Sequence, residues 1–271
     1  RDSLLRAPDD SGRRQAVSAL QAAGPSERPF GLSAFVRCRN EEEYIVASVK
    51  SSYRVFDEVV VILNESTDGT RALLEDLLPD HPKLRILEYT ETCAPIGPGY
   101  LEAVAAKPTM SLARYYNWCL EQTTYSHVCK WDGDMIATPD FGAVRSFLPT
   151  ADVVMFDGWD VLGEHTTDLE ARIFRFDTSR ARYEDWELYE VLKHDYTETV
   201  RLDRKCYLHM KLVKREWLHR KWTNPNLLAI HPVPETGGTR PSHVRNAKQL
   251  LRRTASVLRK MGKRAGRALQ S

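Results

Sequence analysis

Short apolar runs alternate with amphipathic segments through the first third of the chain. Three runs are brief and mostly apolar, as strands are, and lie at Gly31–Cys38, Asp57–Leu63 and Leu84–Leu87. Between them, Tyr44 to Val49 and Arg71 to Leu78 read as helices, and Asn40 is expected to cap the first. This alternation predicts an α/β fold: a mostly parallel, doubly wound sheet with helices on both faces.

The pattern continues with a helix over Ser111–Gln122 and a buried strand around Val128–Trp131. Two more strands are predicted at Ala151–Phe156 and Ala171–Phe176. The stretch Glu88–Pro108 lacks clear periodicity and contains two prolines and two glycines in its centre. A loop of that length is usually functional or mobile, so we interpret it as a lid or as an idle insertion.

Two aspartates follow the apolar strand that ends near Trp131. Asp132 and Asp134 should point to the same side of an extended chain, and Gly133 between them allows close approach of backbone or ligand. Converging carboxylates repel each other unless a cation or a ligand lies between them. Hard divalent cations take such oxygen ligands and share them with phosphates. The motif therefore indicates a metal–diphosphate site, with an exposed turn as the alternative.

Polar turns follow three of the predicted parallel strands. They are Arg37–Glu42, Asn64–Thr70 and Asp132–Asp134. In open α/β sheets ligands bind at the carboxyl ends of the strands, so we expect the three turns to form one site. Taken singly, Asn40 and Thr67 have a simpler explanation as helix caps.

Composition indicates an ordinary globular protein. The 271 residues are 42% hydrophobic and 28% charged, and no run of eighteen apolar residues predicts a membrane-spanning helix. Five scattered cysteines suit reduced thiols in a cytosol and make a zinc site an unfavoured reading. No signal peptide is visible, and the start at Arg1 instead of methionine indicates a chain trimmed from something longer.

Four motifs arrive in one order and together resemble a known enzyme family. They are Phe35-Val-Arg-Cys-Arg-Asn-Glu-Glu42, Phe56-Asp-Glu-Val-Val-Val-Ile-Leu-Asn-Glu-Ser-Thr-Asp-Gly-Thr70, Ser111-Leu-Ala-Arg-Tyr-Tyr-Asn-Trp118 and Lys130-Trp-Asp-Gly-Asp134. The chain from about residue 31 to 215 is similar to family 2 glycosyltransferases of the GT-A fold, of the bacterial cell-envelope or capsule type. The resemblance implies a nucleotide-sugar donor, an inverting mechanism, and Mn2+ or Mg2+ held through the Asp-x-Asp motif.

The resemblance also implies roles for individual residues. Those implied to bind the donor are Arg37, Asn40, Glu41, Asn64, Arg114, Asn117, Asp132 and Asp134. Asp134 is implied as a direct metal ligand and Asp132 as a group near the ribose or metal, while a late histidine of the family corresponds to His209. His231 is a weaker alternative ligand. Many members carry two aspartates where this chain has Asn64-Glu65, which weakens the prediction of a uridine donor.

The segment Ala181–Glu190 matches the position of the family's acceptor-side carboxylate. An inverting transfer needs a base for the acceptor hydroxyl proton, and Asp185 best matches the family's Glu-Asp pair. Glu184 and Glu187 are close enough to be alternatives, and an acidic helix start is the structural alternative for all three. Trp186 is predicted to stack on a sugar or to lie in the core.

Charge changes abruptly near the carboxyl end. From Arg240 to Ser271 there are ten Lys or Arg and no acidic residue, which leaves 29 basic and 37 acidic residues, a formal charge of −8, in the remainder. Apolar residues recur there at helical spacing, so the tail is interpreted as a basic amphipathic membrane-surface anchor, a docked helix or a disordered tail. No nucleic-acid motif accompanies the charge, and nucleic acid is not expected as a partner.

These patterns divide the chain into an extension over 1–28, a transferase domain over 29–235 and a basic tail over 236–271. The predicted partners are a nucleotide-sugar donor, a glycan or lipid-linked acceptor and an anionic membrane surface, in the cytoplasm or on the inner face of the plasma membrane. One alternative function is sugar nucleotidyl transfer, although Arg37–Glu42 lacks the glycine-rich loop that it needs. The other is a non-catalytic module that binds a glycan or a partner.

Overall fold

The computed structural model describes residues 28–161, 167 and 169–214. The predicted extension lies almost entirely outside these residues, as do the basic tail and His231. Within the described part, no helix is both long enough and apolar enough to cross a bilayer.

Ten strands and four α-helices make up the described chain. The strands are β1 Leu32–Cys38, β2 Glu58–Asn64, β3 Leu84–Tyr89, β4 His127–Asp132, β5 Met135–Ala137, β6 Val153–Asp160, β7 Glu170–Arg175, β8 Ala181–Asp185, β9 Glu190–His194 and β10 Thr199–His209. The helices are α1 Ile45–Ser52, α2 Thr70–Glu75, α3 Tyr100–Ala106 and α4 Leu112–Glu121. Short 3-10 turns lie at Leu78–Asp80, Pro108–Met110, Pro139–Ser146 and Lys211–Val213.

Eight strands form one sheet in the order β3-β2-β1-β4-β7-β6-β10-β5. The first four pair in parallel, which confirms the predicted doubly wound half. Beyond β4 the sheet is mixed, because β7 is antiparallel to both β4 and β6, whereas β10 is parallel to β6. The predicted α/β class with a mostly parallel sheet is confirmed for the described residues.

Both faces of the sheet are covered, so its central strands are apolar on both sides. All seven residues of β2 are buried. One face packs against α1, α2 and the Pro139–Ser146 turn around Trp131 and Phe141. The other packs against α3, α4 and the β8–β9 hairpin around Phe35 and Tyr116. The strands that carry the polar turns are therefore packed on both faces of the sheet.

The sequence predicted one irregular loop over Glu88–Pro108, and this prediction is wrong. The stretch contains α3, which begins after Gly99 in the left-handed conformation at φ 90°. Glycine adopts that conformation at little cost, so the glycines that appeared to break a helix here instead lead into one.

Asn40 is a second correction, because it does not cap α1. The residue before α1 is Tyr44, which makes no side-chain capping bond. Asn40 has φ 55° and accepts a hydrogen bond through Oδ1 from the backbone N–H of Thr67 at 2.8 Å. Its side chain therefore joins the turns after β1 and β2 instead of starting a helix.

The segment Ala181–Glu190 is strand and turn and contains no helix. β8 and β9 form an antiparallel hairpin that is a sheet of its own. The acidic helix start considered for this segment is therefore wrong. All five cysteines are buried free thiols, consistent with the prediction of reduced cysteines.

Candidate active site

The three polar turns meet at one edge of the sheet, as predicted. The backbone N–H of Asn40 donates to Ser66 Oγ at 3.1 Å, and that of Glu41 donates to Thr70 Oγ1 at 2.8 Å. The backbone N–H of Gly133 donates to the carbonyl of Arg37 at 3.3 Å. A Cβ on Gly133 would lie 2.8 Å from Cγ of Glu41, so glycine is required for this close approach.

Asp132 belongs to a set of charged side chains carried by neighbouring strands. This strand cluster consists of Arg37, Lys130, Asp132, Glu170, Arg172 and Glu190. Arg37 forms a short salt bridge to Oδ1 of Asp132, and Arg172 Nη1 lies 3.6 Å from Oδ2. Lys130 Nζ lies 3.7 Å from Glu170 and 3.8 Å from Glu190. The six charges balance one another in a part-buried site.

The pKa values follow from this balance. Burial would raise the pKa of Asp132, but Arg37, Lys130 and Arg172 hold it well below its usual range. Burial would likewise lower the pKa of Arg172, yet Glu170, Tyr207 and Asp132 raise it. Arg37 also lies over the Tyr116 ring, with its guanidinium carbon 4.2 Å from the centroid. Asp132 and Arg172 thus both keep their charges within the strand cluster.

Asp134 lies in the turn after β4 and has a different set of partners. We name Glu41, Asp134, His209 and Lys214 the turn cluster. Oδ1 of Asp134 lies 3.5 Å from His209 Nε2, and Oδ2 lies 2.7 Å from Lys214 Nζ. Lys214 Nζ also lies 2.5 Å from Glu41 Oε1. Asp134 is 4% exposed, so these contacts are buried.

Burial and Asp134 raise the pKa of Glu41 to about 8, against the opposing effect of Lys214. Burial would raise the pKa of Asp134 too, but His209 and Lys214 hold it below its usual range. The two acids of the turn cluster therefore differ: Asp134 is ionised, whereas the raised pKa of Glu41 favours its protonated form.

The chemistry of these side chains can be compared with that of a metal site. Among the described residues, no three His, Cys, Asp or Glu side chains are arranged to hold a metal ion. Asp134 and His209 nevertheless place an oxygen and a nitrogen ligand side by side. They suit a cation that takes its remaining ligands from phosphate oxygens. The carboxylate of Asp132 faces two arginines, so the predicted set of Asp134, Asp132 and His209 is not assembled.

Asp185 lies at the end of β8, against the start of α4. Its Oδ1 accepts hydrogen bonds from Tyr100 Oη and from the backbone N–H of Ala113. Its Oδ2 accepts from Ser111 Oγ at 2.7 Å, and Ser111 also caps α4. A helix N-terminus favours a carboxylate. A carboxylate offers about four acceptor positions, so these three bonds leave about one for another donor.

The alternative acids of this segment have other surroundings. Glu184 accepts two hydrogen bonds from Arg182, at 2.6 and 2.9 Å. Glu187 is exposed at the hairpin turn. Trp186 is 52% exposed, with Lys193 Nζ 4.8 Å from its ring centre, so it is not a core residue.

The remaining predicted donor residues lie around α4 and the end of β3. Arg114 and Asn117 line a cavity of about 520 Å³, whose other lining residues are Glu88, Tyr89, Thr90, Glu91, Trp118 and Glu121. Both ends of the Asn117 amide bond to the backbone of Tyr183, at 2.8 and 2.9 Å. Asn64 donates to the carbonyls of Tyr89 and Glu91. Their donor-binding roles stay predictions.

Sequence reasoning missed Lys130, Glu170, Arg172, Glu190 and Lys214. A signal existed for Lys130, because a residue two before Asp132 shares its face of a strand. Arg172 and Glu170 come close only through the antiparallel pairing of β7 with β4, which no local pattern indicates. Lys214 follows Asp134 by eighty residues and has no periodic relation to it.

Comparison with known proteins supports one family for part of the chain. Residues 33–92 match the model described as glycosyl transferase family 2. This segment of the chain is similar to family 2 glycosyltransferases. The matched segment runs from β1 past β3 and contains Asn40, Glu41 and Asn64, while Asp132 and Asp134 lie outside it.

Three solved structures show a weaker likeness to this chain. The 1–349 segment of TarS from S. aureus is 16% identical, with 76% of each chain covered and a TM-score of 0.47. Mannosyltransferase PcManGT from Pyrobaculum calidifontis is 23% identical over 53% of this chain and 41% of its own, with a TM-score of 0.35. Glucosyl-3-phosphoglycerate synthase from Mycobacterium tuberculosis is 20% identical over 52% and 46%, with a TM-score of 0.33. None of the curated proteins compared with the chain matches it.

Proposed function

We propose that this protein is a glycosyltransferase that moves a sugar from a nucleotide-sugar donor to a hydroxyl of a glycan or lipid-linked acceptor, with inversion, in cell-envelope polysaccharide synthesis. The observation that carries the proposal is the meeting of the turns after β1, β2 and β4, where buried Asp134 lies beside His209. Donors of nucleotide-sugar type carry a diphosphate, and a divalent cation held by Asp134 and His209 would balance its charge as the sugar leaves.

The transfer itself is a single displacement. The acceptor oxygen forms a bond to the anomeric carbon, and the bond from that carbon to the diphosphate oxygen breaks with its electron pair on the diphosphate. Asp185 takes the hydroxyl proton as general base. Tyr100, Ser111 and Ala113 hold the carboxylate in place, and about one acceptor position remains for the acceptor hydroxyl. In this role Trp186, exposed beside it, offers an aromatic surface for the acceptor sugar.

The decisive experiment is a panel of nucleotide sugars incubated with the full chain, Mn2+ and a mixture of glycan acceptors. We expect release of a nucleoside diphosphate that depends on one sugar donor and is abolished by chelation. Release of pyrophosphate from a sugar phosphate and a nucleoside triphosphate would instead indicate nucleotidyl transfer. No turnover with any donor, together with glycan binding, would indicate a non-catalytic module.

The base is tested by Asp185→Asn. We expect turnover to fall by roughly 10²–10⁴-fold, the usual contribution of a general base, with the Kd for the donor nearly unchanged. Glu184→Gln and Glu187→Gln are matched controls on the same hairpin and should retain activity. Loss of turnover in either control with an unaffected Asp185→Asn would move the role to that neighbour.

The membrane role of the 236–271 tail is proposed from charge alone. Each Lys or Arg near an anionic leaflet contributes about 1 kcal/mol, so ten of them behind a domain of opposite formal charge would orient the protein there. Co-sedimentation with vesicles of phosphatidylserine and phosphatidylcholine should require the tail and decrease with added salt. Equal binding by a chain that ends at Thr239 would remove the anchor.

A further inference from the structure

The ammonium group of Lys214 lies inside the turn cluster. Its Nζ is 2.7 Å from Asp134 Oδ2 and 2.5 Å from Glu41 Oε1, and its side chain is 16% exposed. Lys214 follows the 3-10 turn Lys211–Val213, whose entry is fixed by a hydrogen bond from the Met210 N–H to the Asp134 carbonyl at 2.9 Å. The same turn of chain that follows His209 therefore delivers a cation to the carboxylate of Asp134.

The charge state of Lys214 follows from its neighbours. A lysine is ordinarily protonated at neutral pH, and Lys214 lies between the carboxyl groups of Asp134 and Glu41, so the amine keeps its proton. The group therefore contributes a full positive charge where two carboxyl groups converge. Within the described residues, Glu41 keeps one buried oxygen, Oε2, without a hydrogen-bond partner. The ammonium thus leaves part of the available oxygen ligands unused.

We propose that Lys214 is an internal cation that competes with the divalent metal for Asp134. This inference rests on the metal site of the proposed function. An ammonium group and a metal ion cannot both contact Oδ2 of Asp134 at close range, since like charges in a part-buried site repel strongly. Metal binding then requires Lys214 to leave, and a diphosphate that brings further oxygen ligands favours that exchange. Without the nucleotide-sugar donor, Lys214 balances the charge of Asp134. When the donor binds, the metal binds with it and takes the place of Lys214.

The test is a titration of Mn2+ followed by electron paramagnetic resonance of the free ion, with the full chain and no nucleotide. We expect Lys214→Met to bind Mn2+ at least tenfold more tightly than the unchanged protein. Lys214→Arg, which keeps the charge, should bind as weakly as the unchanged protein. Lys107→Met removes an exposed lysine at the end of α3 and serves as the matched control. Adding Asp134→Asn to Lys214→Met should abolish the gain.

Equal or weaker Mn2+ binding by Lys214→Met, in a protein whose thermal unfolding shows it to be folded, would overturn the competition. This readout is separate from nucleoside diphosphate release. If the unchanged protein releases no nucleoside diphosphate but Lys214→Met still binds Mn2+ more tightly, the proposed transfer is refuted and the competition is kept.

A second measurement needs no variant. Acetylation of lysines in the unchanged protein, followed by mass spectrometry, should modify Lys214 slowly in buffer. Addition of Mn2+ and inorganic pyrophosphate should increase that rate at least fivefold, with Lys107 unchanged. A Lys214 rate that does not respond would show that the ammonium stays in place, and would overturn the proposal.

Discussion

The strand cluster and the turn cluster each balance one aspartate of the same Asp-x-Asp motif, but they do so with different groups. Asp132 faces Arg37 and Arg172, whose side chains project from β1 and β7 within the main sheet. Asp134 faces His209 and Lys214, at the end of β10 and beyond it. Guanidinium groups stay charged and bind carboxylates as fixed forks. A lysine is a single charge on a flexible stem, and an imidazole can donate, accept or ligate.

The difference indicates a division of roles within three residues of sequence. Asp132 is part of a buried ion network whose members depend on one another. Asp134 has partners that another cation could replace. We therefore expect the first aspartate to matter most for the folded state and the second for turnover.

The largest effect is expected for Asp134→Asn. The amide keeps the shape but not the anionic oxygen, so turnover should decrease about 10³-fold, which corresponds to about 4 kcal/mol of transition-state stabilisation. Urea unfolding should show a smaller change in stability than for Asp132→Asn. A stability loss equal to that of Asp132→Asn would remove the division between the clusters.

Asp132→Asn should lower the free energy of unfolding by about 3–5 kcal/mol, because it removes the carboxylate shared by Arg37 and Arg172 and leaves the strand cluster with an excess positive charge. The measurement is urea unfolding at neutral pH. Asp140→Asn is the matched control, since the Asp140–Arg204 pair is exposed and such pairs contribute about 0–1 kcal/mol. A change in Asp132→Asn no larger than in the control would contradict the network.

The smallest expected effect is on the acid side of the stability profile. The folded-state pKa of Asp132 is lowered, so below its ordinary value of about 3.9 the unfolded chain binds the proton first. Stability that is present above pH 4 should be lost as the pH falls, by up to about 1.4 kcal/mol per pH unit for this group. Unfolding measured from pH 5 to 2 should be less steep in Asp132→Asn. An unchanged slope would show that folding does not lower the pKa of Asp132.

The sequence predicted the parallel half of the sheet because β1, β2 and β4 are apolar runs followed by polar turns. Parallel strands bring those turns to one edge whatever the details of packing, so the meeting of Asn40, Glu41 and Thr70 followed from topology. The helix α3 was missed because Pro95, Gly97, Pro98 and Gly99 precede it, and glycine and proline are read as breaks.

The parts of the site that were not predicted depend on contacts between distant segments. Asp185 meets Tyr100 only after the β8–β9 hairpin folds over α3 and α4, across 85 positions. Arg172 reaches Asp132 through the register in which Cys129 pairs with Ile173. Such contacts are set by tertiary packing, which periodicity along a single chain does not encode.

The β8–β9 hairpin has a consequence for protein engineering. It is a two-stranded sheet outside the main one, joined to the rest through Asp185, through the Tyr183 backbone on Asn117, and through the bond from Gly97 N–H to Leu188 carbonyl. The residues between Trp186 and Tyr189 could therefore be replaced by those of another protein while these anchors are retained. If the proposed function holds, exchange of these residues is expected to vary the acceptor while the turns after β1, β2 and β4 stay unchanged.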